Sequence, residues 1–174
     1  MADERTGAVR WYRPDPRTIL PLDAFHIPRS LASTIGRGRF EVRINTEFEA
    51  VMRGCADRPE GTWISKEFVT VYTALHRAGK AHSVEAWRDA RLVGGTYGVA
   101  LGGSFMAESM FHRETDASKV ALAALLARLR ERGFALLDVQ YLTPHLARFG
   151  AREIPRRSYE ALLEHALRLA CRFE

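Results

Sequence analysis

Between His82 and Phe111 the chain offers three strand-like runs with little between them: His82 to Trp87, Leu92 to Leu101 and Ser104 to Phe111. Asp89-Ala90-Arg91 separates the first pair and Gly102-Gly103 the second. Connections this short cannot carry a crossover, so consecutive runs must pair antiparallel. An antiparallel meander at the centre of the chain is therefore the strongest single constraint on the fold.

The flanking segments alternate between the two periodicities. Phe40, Val42 and Ile44 alternate as a strand. Thr46-x-x-Glu49 reads as a capping box opening a helix with Phe48, Val51, Met52 and Cys55 on one face. A loop, Ala56 to Ile64, holds Trp63, and a second helix carries Phe68, Tyr72, Leu75 and His76 until Gly79 stops it. After the meander, Asp116 is expected to cap a helix over Ala117 to Arg132, and Phe134 to Tyr141 to form a strand. Thr143-Pro144 reads as an N-cap with proline at the first helical position, Glu153-Ile154 as a short strand, and Ser158 as the cap of a last helix. Residues 11–39 carry Pro14, Pro16, Pro21 and Pro28 and are expected to be irregular.

The order from residue 40 is strand, two helices, a three-stranded meander, then helices alternating with strands. It predicts a mixed α+β / α/β chain with the acetyltransferase-like (GNAT) fold: a mixed, mostly antiparallel sheet flanked by helices. Residues 1–39 are expected to form an irregular N-terminal segment and 40–174 the GNAT-like domain. Gly94-Gly95 predicts close strand packing or a bulge.

A hydrophobic share of 47% is ample for a core, and no apolar run approaches the roughly 20 residues that a membrane span needs. Met1 to Arg10 is polar and lacks the apolar stretch of a secretory leader, so a cytoplasmic location is expected. Cys55 and Cys171 read as buried free thiols, and the six histidines show no metal-ligand spacing. The net charge of +5 makes a polyanionic partner plausible.

Two acids stand in apolar, strand-like runs: Glu108 in Met106 to Phe111, and Asp138 in Leu136 to Gln140. Strict alternation would put Met106, Glu108 and Met110 on one face, and Leu136, Asp138 and Gln140 on another. Carboxylates in such surroundings need a cationic or hydrogen-bonding partner, either internal or a ligand. The loop His112-Arg113-Glu114-Thr115-Asp116-Ala117, which in GNAT enzymes cradles the pyrophosphate of acetyl-coenzyme A, holds two acids and no glycine here. It lacks the free backbone nest that phosphates need.

Several ordered motifs carry a family resemblance. They are Trp11-Tyr12-Arg13-Pro14-Asp15-Pro16-Arg17, Phe25-His26-Ile27-Pro28-Arg29-Ser30, Gly61-Thr62-Trp63-Ile64, Ala81 to Trp87, Leu92 to Ala100, Ala117-Ser118-Lys119, and the stretches around Glu108 and Asp138. From about residue 11 to residue 165 the chain resembles the bacterial leucyl/phenylalanyl-tRNA–protein transferases. The resemblance implies transfer of leucine or phenylalanine, with methionine a further candidate donor, from aminoacyl-tRNA to the α-amino group of proteins beginning with arginine or lysine. It also implies a monomer without coenzyme A or metal.

By that resemblance Asp138 orients Gln140, whose side-chain oxygen accepts from the attacking amine, and Glu108 and Asp138 attract the acceptor's cationic residue. Trp63 stacks on the terminal adenosine, and Thr143 belongs to the substrate site. Phe105, Met106, Met110, Leu125 and Leu137 are the candidates for the apolar pocket. Arg29, Arg37, Arg39 and Lys119 are candidate phosphate contacts. His82 and His145 are read as hydrogen-bonded structural residues. Family members usually carry a small N-terminal domain with a Gly-Ile-Phe-Pro-Trp motif, absent here, and glycine where Ala107 stands. Trp11 or Tyr12 is then the aromatic at hand to complete the adenosine clamp. Two other readings remain: a relative that binds aminoacyl-tRNA or protein N-termini without transfer, and a GNAT-like acyltransferase with another donor.

Overall fold

The computed structural model describes residues 12–59 and 61–174. Trp11 and the polar stretch Met1 to Arg10 lie outside the described residues.

The elements are β1 (Arg17–Ile19), α1 (Arg29–Gly36), β2 (Glu41–Ile44), α2 (Phe48–Ala56), α3 (Lys66–Arg77), β3 (Ala81–Arg88), β4 (Arg91–Leu101), β5 (Ser104–His112), α4 (Ala117–Glu131), β6 (Leu136–Gln140), α5 (Pro144–Ala147), β7 (Arg152–Ile154) and α6 (Arg156–Leu167). Seven strands form one sheet in the order β2-β3-β4-β5-β6-β1-β7. Among the described residues only the β5–β6 pairing is parallel, and the others are antiparallel. This is the mixed, mostly antiparallel GNAT-like sheet expected from the element order.

The meander forms because Asp89 and Ala90, both with positive φ, close a two-residue turn, and Gly102 at φ +55° closes the next. Helix α4 covers one face of the sheet, burying Leu122, Leu125, Leu126 and Leu129 with Phe105, Leu137 and Phe149. Helices α2 and α3 cover the other, where Val51, Met52 and Cys55 pack on Tyr97 and Phe111. Gly94 is what lets α4 approach: a Cβ there would stand 2.6 Å from that of Ala117. Both roles expected of Gly94-Gly95 occur: Gly94 packs closely on α4, and the register slips beside it, from Ala86↔Gly94 to Trp87↔Leu92, leaving Val93 as the extra residue of a bulge.

Residues 12–39 differ from the expectation of irregular chain. The prolines flank elements rather than prevent them, and Pro28 takes the N-cap position of α1. Strand β1 sits between β6 and β7, pairing Ile19 with Asp138 and Arg17 with Ile154. Three caps also differ. Thr46 Oγ1 donates to Glu85 instead of opening a capping box, and α2 begins at Phe48 with no side-chain cap. Asp116 has a left-handed backbone and pairs with Lys119 at 2.7 Å, making no cap hydrogen bond. Helix α6 starts at Arg156 behind Pro155, which puts Ser158 inside its first turn. Among the described residues no helix is long and apolar enough to cross a membrane.

Candidate active site

The parallel register of β5 and β6 runs from Ser104↔Leu136 to Met106↔Asp138 and stops. Both strands continue past that point, β5 to His112 and β6 to Gln140, so they separate and leave an opening at the end of Asp138. On the other side of β5 the register slips by one residue. Tyr97 faces Ser109 while Gly98 faces Ala107, leaving Glu108 as the extra residue of a β-bulge. Gly98 is required there, because a Cβ on it would stand 2.2 Å from the Met106 carbonyl oxygen.

The bulge changes the face assignment predicted by simple alternation. Met106 and Glu108 line a cleft of about 460 Å³ on the α3 side. Met110 instead packs against the core beneath α4 and lines a different cavity, of about 610 Å³. Arg58 stands between the two, donating from Nε to the Cys55 carbonyl (3.0 Å) and from Nη2 to Ser109 Oγ (2.9 Å). That larger cavity holds Lys119, already paired with Asp116.

The cleft wall is aromatic. Tyr12, Trp63, Phe68, Tyr72 and Tyr141 line it with Met106, and Arg17, Arg58, Glu108 and Gln140 supply its polar groups. Trp63 lies half-buried, edge-to-face on Phe68 with ring centroids 5.4 Å apart. Phe105, Leu125 and Leu137 are at most 1% exposed in the core under α4, so these three expected pocket residues stand apart from the cleft. Thr143 is exposed and accepts from Leu146 N at 3.2 Å as the N-cap of α5.

Asp138 is wholly buried at the mouth of the opening, and four donors converge on it. Arg17 Nε donates to Oδ1 (3.0 Å) and Arg17 Nη2 to Oδ2 (2.6 Å), the side-on fork that carboxylates favour. The Tyr159 hydroxyl donates to Oδ2 (2.8 Å) and the Gln140 backbone N–H to Oδ1 (2.9 Å). Four donors occupy the lone-pair positions of a carboxylate. Asp138 therefore has no remaining capacity to attract an external cation, contrary to expectation. Its link to Gln140 is through the backbone: it fixes Gln140 at φ +61°, a left-handed conformation that ends β6 and turns the side chain into the cleft wall. Burial opposes the charge on Arg17, but the hydrogen bonds and charge of Asp138 outweigh it and hold the guanidinium above its ordinary pKa.

Glu108 is the opposite case. Among the described residues it pairs with no cation, and burial pushes its carboxyl above the usual range. The facing Tyr72 hydroxyl opposes that rise and the charge of Asp138 adds to it. Burial, with Glu108 beside it, raises Tyr72 in turn. One carboxylate is thus sealed by donors, and the other stands in a largely apolar cleft that raises its pKa.

The expected basic contacts gather where α1 meets the start of α4. Arg39 reaches Glu114 at 3.4 Å, and Glu114 also takes Arg88 at 2.7 Å. Arg29 and Arg37 are exposed and make no ion pair among the described residues. The β5–α4 loop, which would have to cradle a pyrophosphate, has its acids held in these same pairs. His82 lies between Asn45 (3.1 Å) and the Phe173 ring, where burial lowers it to about 4. His145 packs on Phe149, and burial with nearby Lys119 lowers it too. Cys55 is buried, with burial pushing its thiol to about 12, while Cys171 is half-exposed.

Reading the sequence did not single out Arg17, Arg58, Phe68, Tyr72 and Tyr141, which line the cleft, or Tyr159, which holds Asp138. Arg17 stood in a segment expected to be irregular, and Phe68 and Tyr72 read as an ordinary helix face. Arg17 and Asp138 are 121 positions apart, so no local pattern joins them.

Comparison with known proteins bears on the fold and on the family. Among solved structures, the C-terminal domain of a putative lysylphosphatidylglycerol synthetase from Agrobacterium fabrum superposes with a TM-score of 0.56 at 10% identity, over 87% of this chain and 62% of that one. That likeness concerns the fold. Sequence relatives are much nearer. Proteins named leucyl/phenylalanyl-tRNA–protein transferase are 54% identical over 171 residues in Herpetosiphon aurantiacus, covering 98% of this chain and 89% of the relative. The corresponding protein of Rubrobacter xylanophilus is 57% identical over 164 residues, covering 94% of this chain and 85% of the relative. Residues 19–164, which include the bulge, Asp138 and Gln140, match the family as a whole, and the chain belongs to the leucyl/phenylalanyl-tRNA protein transferase family.

Proposed function

We propose that this protein transfers leucine or phenylalanine from aminoacyl-tRNA to the α-amino group of proteins whose first residue is arginine or lysine. The observation that carries the reading is the cleft at the separated ends of β5 and β6. It sets Glu108, a carboxylate with no cationic partner among the described residues, and the side chain of Gln140, whose backbone Asp138 holds, in an aromatic, apolar wall.

The chemistry is aminolysis of an activated ester. The amine lone pair forms a C–N bond to the ester carbonyl carbon, and the carbonyl π pair moves onto oxygen. Collapse re-forms the carbonyl and breaks the bond to the ribose oxygen, which leaves with its electron pair and takes up the proton the amine gives up. Glu108, with its raised pKa, is the group suited to receive the ammonium proton and pass it on, and its charge attracts a cationic acceptor. Gln140 is far too weak a base for that. Its side-chain oxygen positions the amine, and positioning alone supplies several kcal/mol. Asp138 acts on Gln140 by holding its backbone.

Met106, Phe68 and Tyr72 form the wall against which the leucyl or phenylalanyl side chain packs. Trp63 stacks on the terminal adenosine, with exposed Tyr12 and Tyr141 across the cleft to complete the clamp. Arg29, Arg37, Arg39 and Lys119 contact acceptor-stem phosphates. The protein works as a cytoplasmic monomer, and the added residue marks its acceptors for degradation.

The test is transfer of labelled leucine and phenylalanine from charged tRNA to a peptide beginning with arginine, with the same peptide acetylated as control. Product on the free peptide alone is expected. Binding of charged tRNA without product would overturn transfer and leave a binding protein.

A further inference from the structure

We infer that Arg17 supplies the electrophilic side of the reaction: the edge of its guanidinium that Asp138 leaves free donates to the oxyanion of the tetrahedral intermediate. The inference rests on the transfer reaction proposed above. Arg17 spends Nε and Nη2 on Asp138, and Nη1 has no hydrogen-bond partner among the described residues. Its side chain is 17% exposed, and Arg17 lines the cleft together with Gln140. In a side-on fork the Nη1 edge is turned away from the carboxylate, so it is the part left to face the substrate.

Three features suit it to this task. The guanidinium is fixed by the fork and by the Tyr159 ring, 5.1 Å from its centroid, so no reorientation is needed as charge develops. Asp138 neutralises it overall, so a cationic acceptor is not repelled while the free N–H groups keep their direction. Arg58, the cleft's other cation, is already committed to the Cys55 carbonyl, Ser109 Oγ and the Met110 carbonyl. Through the reaction Arg17 donates hydrogen bonds and gives up no proton; electrons and protons move as in the balanced step above.

Two unreactive mimics of leucyl-adenosine separate stabilisation of the oxyanion from mere positioning. One has a flat amide at the ester position and the other a tetrahedral, anionic phosphonate. Removing Arg17 alone would leave Asp138 buried and unpaired, so the variant is the double Arg17→Gln/Asp138→Asn, with its melting curve recorded. Wild type should prefer the phosphonate. The double variant should lose about a hundredfold in phosphonate affinity, the scale of one lost oxyanion donor, and less than about threefold in amide affinity. Tyr159→Phe, which removes a donor to Asp138 and keeps Arg17, should retain the preference. Equal changes for the two mimics in a folded double variant, from a wild type that transfers leucine normally, overturn the role of Arg17 and leave the reaction standing. A wild type that does not transfer overturns the reaction itself.

Discussion

Replacing Asp138 by asparagine should damage the fold and the reaction together, whereas replacing Gln140 by glycine should damage the reaction alone. Asp138 is 0% exposed and receives four donors, two of them from Arg17. Asparagine keeps the shape and one acceptor oxygen, but it removes the counter-charge and turns an amide NH₂ toward hydrogen-bond donors. Breaking a buried pair from one side costs about 3–5 kcal/mol. In a chain of this size each kcal/mol moves the melting temperature by roughly 2–4 °C, so a fall of about 6–20 °C follows. Gln140 stands at φ +61°, where a side chain costs on the order of 1 kcal/mol that glycine does not. Gln140→Gly should therefore melt at or slightly above wild type, and Gln140→Ala close to it, while transfer falls roughly tenfold to a thousandfold in both. Melting by circular dichroism, with transfer rates measured below every midpoint, reads both effects. An Asp138→Asn variant melting within about 2 °C of wild type would refute the buried-pair reasoning. Normal transfer by both Gln140 variants would remove the amide from the mechanism.

Glu108→Gln should abolish most transfer and stabilise the protein, with a definite pH dependence. The folded carboxyl is raised above its unfolded value, so its contribution is fully present below the unfolded pKa and lost as pH rises through the folded one. The variant should thus melt above wild type at pH 8 and lose that advantage by pH 4; a wild type that melts higher at pH 8 would sink the idea. Trp63→Ala should weaken binding of charged tRNA by about 1–3 kcal/mol with a smaller effect on the maximal rate, measured by varying tRNA at saturating peptide. Arg29→Ala and Arg37→Ala should each lower the slope of log affinity against log salt by about 1, and an unchanged slope excludes that residue from the phosphate path.

Local pattern and long-range pairing divide what the sequence reveals here. The meander, α3 and the long α4 were legible because turn chemistry and apolar period act over neighbouring residues. Strand β1 was not, since three residues become a strand only when β6 and β7 flank them. The carboxylates were visible as acids in apolar runs, and the family resemblance singled them out. Their difference was hidden, because Arg17 and Tyr159 reach Asp138 across the fold while Glu108 pairs with no cation among the described residues. Periodicity also misled where the bulge at Glu108 intervened, sending Met110 to the opposite face from Met106. Phe105, Leu125 and Leu137 show why an apolar side chain alone cannot distinguish a pocket from a core.

The position of β1 also sets a clock. Residues 17–19 leave the ribosome early, yet their two neighbours in the sheet are residues 136–140 and 152–154. At about 5–20 residues per second, some 7–27 s of synthesis separate Arg17 from its last strand partner. Contacts so distant in the chain also close slowly. Until then Asp138 has no counter-ion and the cleft no Arg17 wall, so a nascent or C-terminally shortened chain can hold most of its meander and still lack the reaction centre. The cleft is complete only after β7 has been made and β1 has found its place between β6 and β7.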